Sequence, residues 1–167
     1  MDRDSLLTLG DFNAYANQQV LAVAARLSAD QLMRQASPSH STVRALLLHM
    51  LEGERYFLSA CQGSPFVPQE FESLSTVDEI CEYWQRLARE VHAFIAGLDD
   101  AAVARDHTIA LGPQEYHFPM WQWFASSFAH SALHRGELSV VLTKLGHPLP
   151  DIDMLVYLVE QTGQPPL

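Results

Sequence analysis

The chain is short of positive charge. Its 167 residues hold 10 Lys and Arg against 20 Asp and Glu, a formal net charge of -10. Such a surface repels phosphate backbones and anionic lipid, which argues against nucleic acid or an acidic membrane as partner. Cysteine is scarce: only Cys61 and Cys81 are present, both inside helix-like stretches. A disulfide-stapled secreted domain carries more of them, in loops. The start, Met1-Asp2-Arg3-Asp4, lacks the apolar core of a secretory signal, so a cytoplasmic protein is expected. Fixed-period repeats and biased tracts are also missing. Residues 116–134 carry no Lys, Arg, Asp or Glu and are long enough to test as a membrane span. His117, Gln122, Ser126, Ser127, His130, Ser131 and His134 make that run too polar to face lipid.

What is present points to one folded domain over residues 1–167. Hydrophobic residues make up 48% of the chain and charged ones 18%, a balance that excludes disorder. At this length about 70% of the unfolded chain's surface is buried on folding. Phe12, Ala16, Val20, Val23 and Leu27 recur at three and four residues and predict a first helix over 5–27. Gln31 to Arg34 add one turn. A second helix is expected over 39–61, with Ser37-Pro38 as cap and first position and Ser39 as a competing cap. Its inner side carries Leu46, Leu47, Met50, Glu54, Phe57, Leu58 and Cys61. Thr76 and Glu79 form a capping box for a third helix, which Asp99-Asp100 stops. Residues 107–118 read as a short extended hairpin around Leu111-Gly112-Pro113-Gln114. The fourth helix spans 119–145 and is apolar nearly all round, which predicts a central position or contact with a second subunit. A tail helix follows over 154–161. The expected fold is all-α: an up-down-type four-helix bundle with a short hairpin before the last long helix.

Eight histidines are present, and three of them stand out. His130 and His134 are an i, i+4 pair on one helix face, a spacing that suits two imidazoles on one metal ion. His49 adds a third from the apolar part of helix two. Taken singly, each reads as a core histidine bonded to a carbonyl. Three of them in helices sharing one core are costly to bury unpaired, and one ion satisfies all three. Three protein nitrogens leave open positions, the arrangement of a catalytic rather than a closed structural site. Water there would be acidified, or a thiolate could take its place. Glu137, three residues after His134, and Glu52, three after His49, are candidates to orient an imidazole or handle protons. The ordinary reading of each is a solvated helix face.

The order of motifs resembles the DinB/YfiT-like family of four-helix-bundle metal proteins. The resemblance rests on His130-Ser131-Ala132-Leu133-His134-Arg135-Gly136-Glu137-Leu138, then Leu145-Gly146-His147-Pro148-Leu149-Pro150-Asp151-Ile152-Asp153 and Tyr157-Leu158. Phe12-Asn13-Ala14-Tyr15-Ala16-Asn17 and Leu48-His49-Met50-Leu51-Glu52 fit the same family in helices one and two. The resemblance implies one divalent ion, nickel or zinc, on His49, His130 and His134. It also implies a homodimer, and members that look like metal-dependent hydrolases or thiol-dependent transferases. The chain departs from the family at Ala129 and Leu133, where polar neighbours of the ligands are usual, and at Glu137, where Gln is usual.

Of Asn13 and Asn17, one is expected to line the pocket or bond a ligand histidine; the ordinary reading is a helix-flank amide bonding neighbouring backbone. Asp153 is expected to cap the tail helix and bring it near the site. Arg135 either anchors an anionic substrate or pairs with an acid, and Gly136 permits close helix packing. Two functions remain open from sequence. One is a metal-dependent enzyme acting on a small molecule, by hydrolysis or by transfer involving a low-molecular-weight thiol. The other is a non-catalytic, dimeric, stress-related metal-binding protein.

Overall fold

Helix boundaries in this chain are set by short polar side chains that satisfy the first free N–H groups. The computed structural model describes residues 1–164. Residues 165–167, the end of the expected 1–167 domain, lie outside the described residues. Asp2 accepts from the Ser5 amide and starts α1 (Arg3–Ala24). Ser28 and Gln31 form a capping box on the one-turn α2 (Ala29–Leu32), so α1 stops short of the expected Leu27. Strands β1 (Gln35–Ser37) and β2 (Ser41–Thr42) pair antiparallel.

The cap expected at Ser37-Pro38 or Ser39 is corrected here. Helix α3 (Val43–Gln62) starts from Thr42, whose hydroxyl accepts from the Ala45 amide. Ser37 and Ser39 send their hydroxyls to Glu137, 98 or more residues away, and that tertiary contact outbids local capping. Gly63 ends α3 at φ 65.

After α4 (Gln69–Glu72), the Thr76–Glu79 capping box opens α5 (Val77–Ala96) as predicted. Asp99 caps α6 (Asp100–Ala104). Strands β3 (Asp106–Leu111) and β4 (Gln114–Pro119) form the expected hairpin, turning at Gly112, whose φ of 63 suits a residue without Cβ. They lead into α7 (Met120–Lys144) and, beyond Gly146, α8 (Met154–Thr162), which Asp153 caps through the Leu155 amide at 2.6 Å.

The four long helices are α1, α3, α5 and α7. Helix α1 packs on α5 and α7, and α3 packs on the same two, so α1 faces α3 across the bundle. Leu46, Leu47, Met50, Leu51, Ile80, Leu87, Ile95 and Leu138 are fully buried between them. Among the described residues no helix is long and apolar enough to cross a membrane. Trp123 and Phe124 of α7 are core, whereas Leu133 and Val140 remain exposed.

Candidate metal centre

Packing of α3 on α7 brings His49 against the His130–His134 pair. The three offer ring nitrogens that lie within 4.8 Å of one another. His49 Nε2 and His130 Nε2 are 2.9 Å apart. Two nitrogens each about 2.0–2.1 Å from one ion stand roughly 2.9 Å apart at a right angle and about 3.3 Å apart at the tetrahedral angle. The ring centroids lie 4.6–4.8 Å apart, edge to face rather than stacked. Three histidines are therefore placed to hold a metal ion.

Their electrostatics agree. Burial, then the neighbouring His40, His130 and His134, hold His49 down at about 4, and burial with His134 lowers His130. Neutral imidazole is the form that ligates. His134 is 8% exposed, and its Nδ1 is buried without a hydrogen-bond partner, 3.5 Å from Glu137 Oε2. With Glu137 behind Nδ1, Nε2 is the His134 nitrogen left to ligate. The donor set and the spacing fit a divalent ion.

His130 reaches this position because α3 carries glycine opposite it. A Cβ on Gly53 would stand 3.3 Å from His130 Cε1 and 3.4 Å from Nδ1, tighter than ordinary contact. On the other side, the β1–β2 turn lies across the site as a strap. Glu137 fastens it, accepting from Ser37 Oγ at 2.5 Å, Ser39 Oγ at 2.6 Å and the Ser39 amide at 3.1 Å. Burial opposes ionisation of Glu137, yet these donors bring its carboxyl down to about 2. The strap carries His40, which stacks on His49 with centroids 3.9 Å apart and meets His134 edge-on at 5.3 Å. Sequence reasoning missed His40. It lies in a turn with no helical spacing to His49, and the β1–β2 pairing together with the long-range Glu137 contact brings it there.

Glu52 is placed differently. It lines an open cavity of about 340 Å³ with His49, His130, Gly53, Tyr56 and Phe66. Burial, with Glu72 nearby, raises its carboxyl. No hydrogen bond joins Glu52 to a histidine among the described residues. Asp153 spends its carboxylate on its own helix.

Asn13 and Asn17 belong to a second polar centre, which the sequence marked only as an acid on an apolar stripe. Glu54 is 7% exposed. Its Oε1 accepts from Asn13 Nδ2 and Asn17 Nδ2 at 2.8 Å each and from Ser131 Oγ at 2.6 Å, and its Oε2 accepts from Trp84 Nε1 at 2.8 Å. Arg135 Nη1 then donates to the oxygens of both asparagines at 2.7 Å. The amides thus bond Glu54 and Arg135 rather than a ligand histidine. Burial lowers the Arg135 guanidinium while Glu54 holds it up. Arg135 does meet an acid, through two amides.

A family model described as the DinB family matches residues 1–165. Among solved structures, the chain resembles a DinB-like protein from Bacillus cereus ATCC 10987, with TM-score 0.74 and 16% identity over 90% of this chain and 97% of that one. It also resembles an uncharacterised protein from Escherichia coli UTI89, with TM-score 0.66 and 15% identity over 89% of this chain and 96% of that one. At such identities the likeness speaks for the fold alone. No curated protein matches the chain.

Proposed function

Since the chain belongs to the DinB family, we propose that it is a metal-dependent enzyme holding one divalent ion, nickel or zinc, on His49, His130 and His134. One observation carries the reading: three imidazoles with ring nitrogens within 4.8 Å of one another, two of them 2.9 Å apart. A bound ion would supply Lewis acidity and an acidified water or thiol at its open positions. The reaction is hydrolysis of a small molecule, or transfer to or from a low-molecular-weight thiol. Three neutral nitrogens accept several ions, so nickel and zinc follow from the family resemblance rather than from the donor set.

The protein's own groups divide the work. Glu137 accepts three hydrogen bonds and sits at about 2, which makes it a poor base. Its role is to orient His134 and pin the strap, as a carboxylate behind a metal-bound imidazole does. Glu52 borders the cavity beside His49 and His130, with its carboxyl raised by burial, and is the better candidate for moving a proton. Phe66 and Tyr56 give that cavity an apolar wall for the substrate's body.

A cytoplasmic homodimer remains part of the reading. Leu133 and Val140, seven residues apart on α7, present an exposed apolar stripe, which favours a second copy as its cover. The alternative, a non-catalytic metal-binding protein, draws support from the full engagement of Glu137, the acid nearest the histidines.

Elemental analysis of untagged protein, with and without added nickel or zinc, tests the metal. One ion per chain, lost in His130→Ala, is the expected result. Metal below a tenth of stoichiometry after loading would remove the proposal. Loaded protein screened with esters, amides and thiol-plus-electrophile pairs then separates enzyme from binding protein. Loss of any turnover in Glu52→Gln with metal retained assigns the proton carrier.

A further inference from the structure

Arg135 does more than close the Glu54 network. Its Nη1 is committed to Asn13 and Asn17, but among the described residues nothing accepts from its Nε or Nη2. The residue is 8% exposed, and neither of those nitrogens is sealed from solvent. Besides a smaller cavity of about 220 Å³, Arg135 lines one of about 380 Å³ with Gly136, Ser139, Phe12, Leu149 and Ile152, with Asp151 at its edge. None of the three histidines lines it.

Gly136 supplies a second, independent sign. Glycine is the poorest ordinary residue in a helix interior, and close packing is the usual reason to keep it there. That reason fails here, because a Cβ on Gly136 would meet nothing within 4 Å. The close packing expected from sequence is corrected: Gly136 is exposed, and its missing side chain leaves open space at the wall of that cavity.

We propose that this cavity is a binding site for a small monocarboxylate with an apolar body, clasped by the Nε–Nη2 edge of Arg135. A guanidinium presents two parallel N–H groups on that edge, the geometry of a bidentate carboxylate contact. Phe12, Leu149 and Ile152 give the apolar body a wall, and the Ser139 hydroxyl stands by as a further polar group. Among the described residues Asp151 forms no ion pair with Arg135. Its charge at the rim opposes any anion, and a phosphate more than a monocarboxylate, since like charges repel. The site stands on α1, α7 and the 146–153 segment and is independent of the metal reading.

The test is a titration of isotope-labelled full-length protein with hexanoate, followed by the Arg135 Nε–H and Gly136 amide resonances, with hexanol and inorganic phosphate as controls. Saturable shifts at both resonances are expected with hexanoate alone, unchanged when EDTA is present. Gly136→Leu fills the cavity without touching the guanidinium and is expected to weaken binding about tenfold or more, as loss of a charge-assisted bidentate contact does. Asp151→Asn is expected to tighten it. Arg135→Gln is a poorer probe, because it also breaks the Glu54 network. Absence of saturation, equal binding of phosphate, retention in Gly136→Leu, or shifts that vanish with EDTA would each overturn the proposal, the last by moving the carboxylate to the histidines.

Discussion

Two polar centres are built on the same pair of helices, and they are finished to different degrees. Around the Glu54 carboxylate the inventory closes: two amides, an indole and a hydroxyl donate to it, and Arg135 Nη1 donates to both amide oxygens. Around His49, His130 and His134 it does not: one 2.9 Å contact joins two of the rings, and His134 Nδ1 stands 3.5 Å from Glu137 Oε2 with no hydrogen bond. Both pairs on α7 have i, i+4 spacing. Ser131 and Arg135 follow His130 and His134 by one residue, a rotation of about 100° that turns one pair toward Glu54 and the other toward His49. A buried polar group that is fully paired belongs to the scaffold, and one left short marks a place where something else is meant to bind.

The largest break in this contrast comes from Glu54→Ala. It strands four donors and a buried guanidinium, so denaturant unfolding should show a loss of about 3–5 kcal/mol. His49→Ala should leave metal-free stability nearly intact, and equal losses from the two would erase the distinction. Glu137→Gln keeps the size of the side chain but removes the carboxylate behind His134. It should lower metal affinity about 10- to 100-fold by calorimetry, with little effect on metal-free unfolding.

Acid sharpens the contrast next. His49 sits at about 4 in the fold against 6.5 in the unfolded chain. On acidification the unfolded chain takes the proton first, so metal-free stability should fall from pH 6.5 to about 4 and flatten below. His49→Gln should remove part of that slope. The smallest change is Gly53→Ala: a Cβ at 3.3 Å must push the His130 ring by a few tenths of an ångström. Metal affinity should drop several-fold while the melting temperature holds, read from competition with a chromophoric chelator.

Much of this was legible in the sequence where periodicity or capping chemistry is local. The Thr76–Glu79 box, the hairpin at Gly112 and the Asp153 cap stand as read. The i, i+4 histidines and His49 also meet as the pattern required, since an apolar face fixes which way each ring points. What escaped was nonlocal. Ser37 and Ser39 look like helix caps until Glu137, from the far end of the chain, claims their hydroxyls. His40 rides on the same strap. Glu54 stood in view among leucines, but its four donors come from three other helices, and no spacing within one segment announces them. Gly136 suggested a tight crossing, and only the cavity beside it shows otherwise.

The single carboxylate of Glu54 also decides how the chain threads its own bundle. Apolar stripes interlock almost as well in more than one order of four helices around a bundle, and leucines do not report which neighbour they face. Glu54 finds an asparagine pair, an indole and a serine together only when α1 lies across from it, with α5 and α7 on either flank. One acid in the middle thereby favours the order in which α3 lies between α5 and α7, the same order that packs α3 on α7 and brings the histidines together.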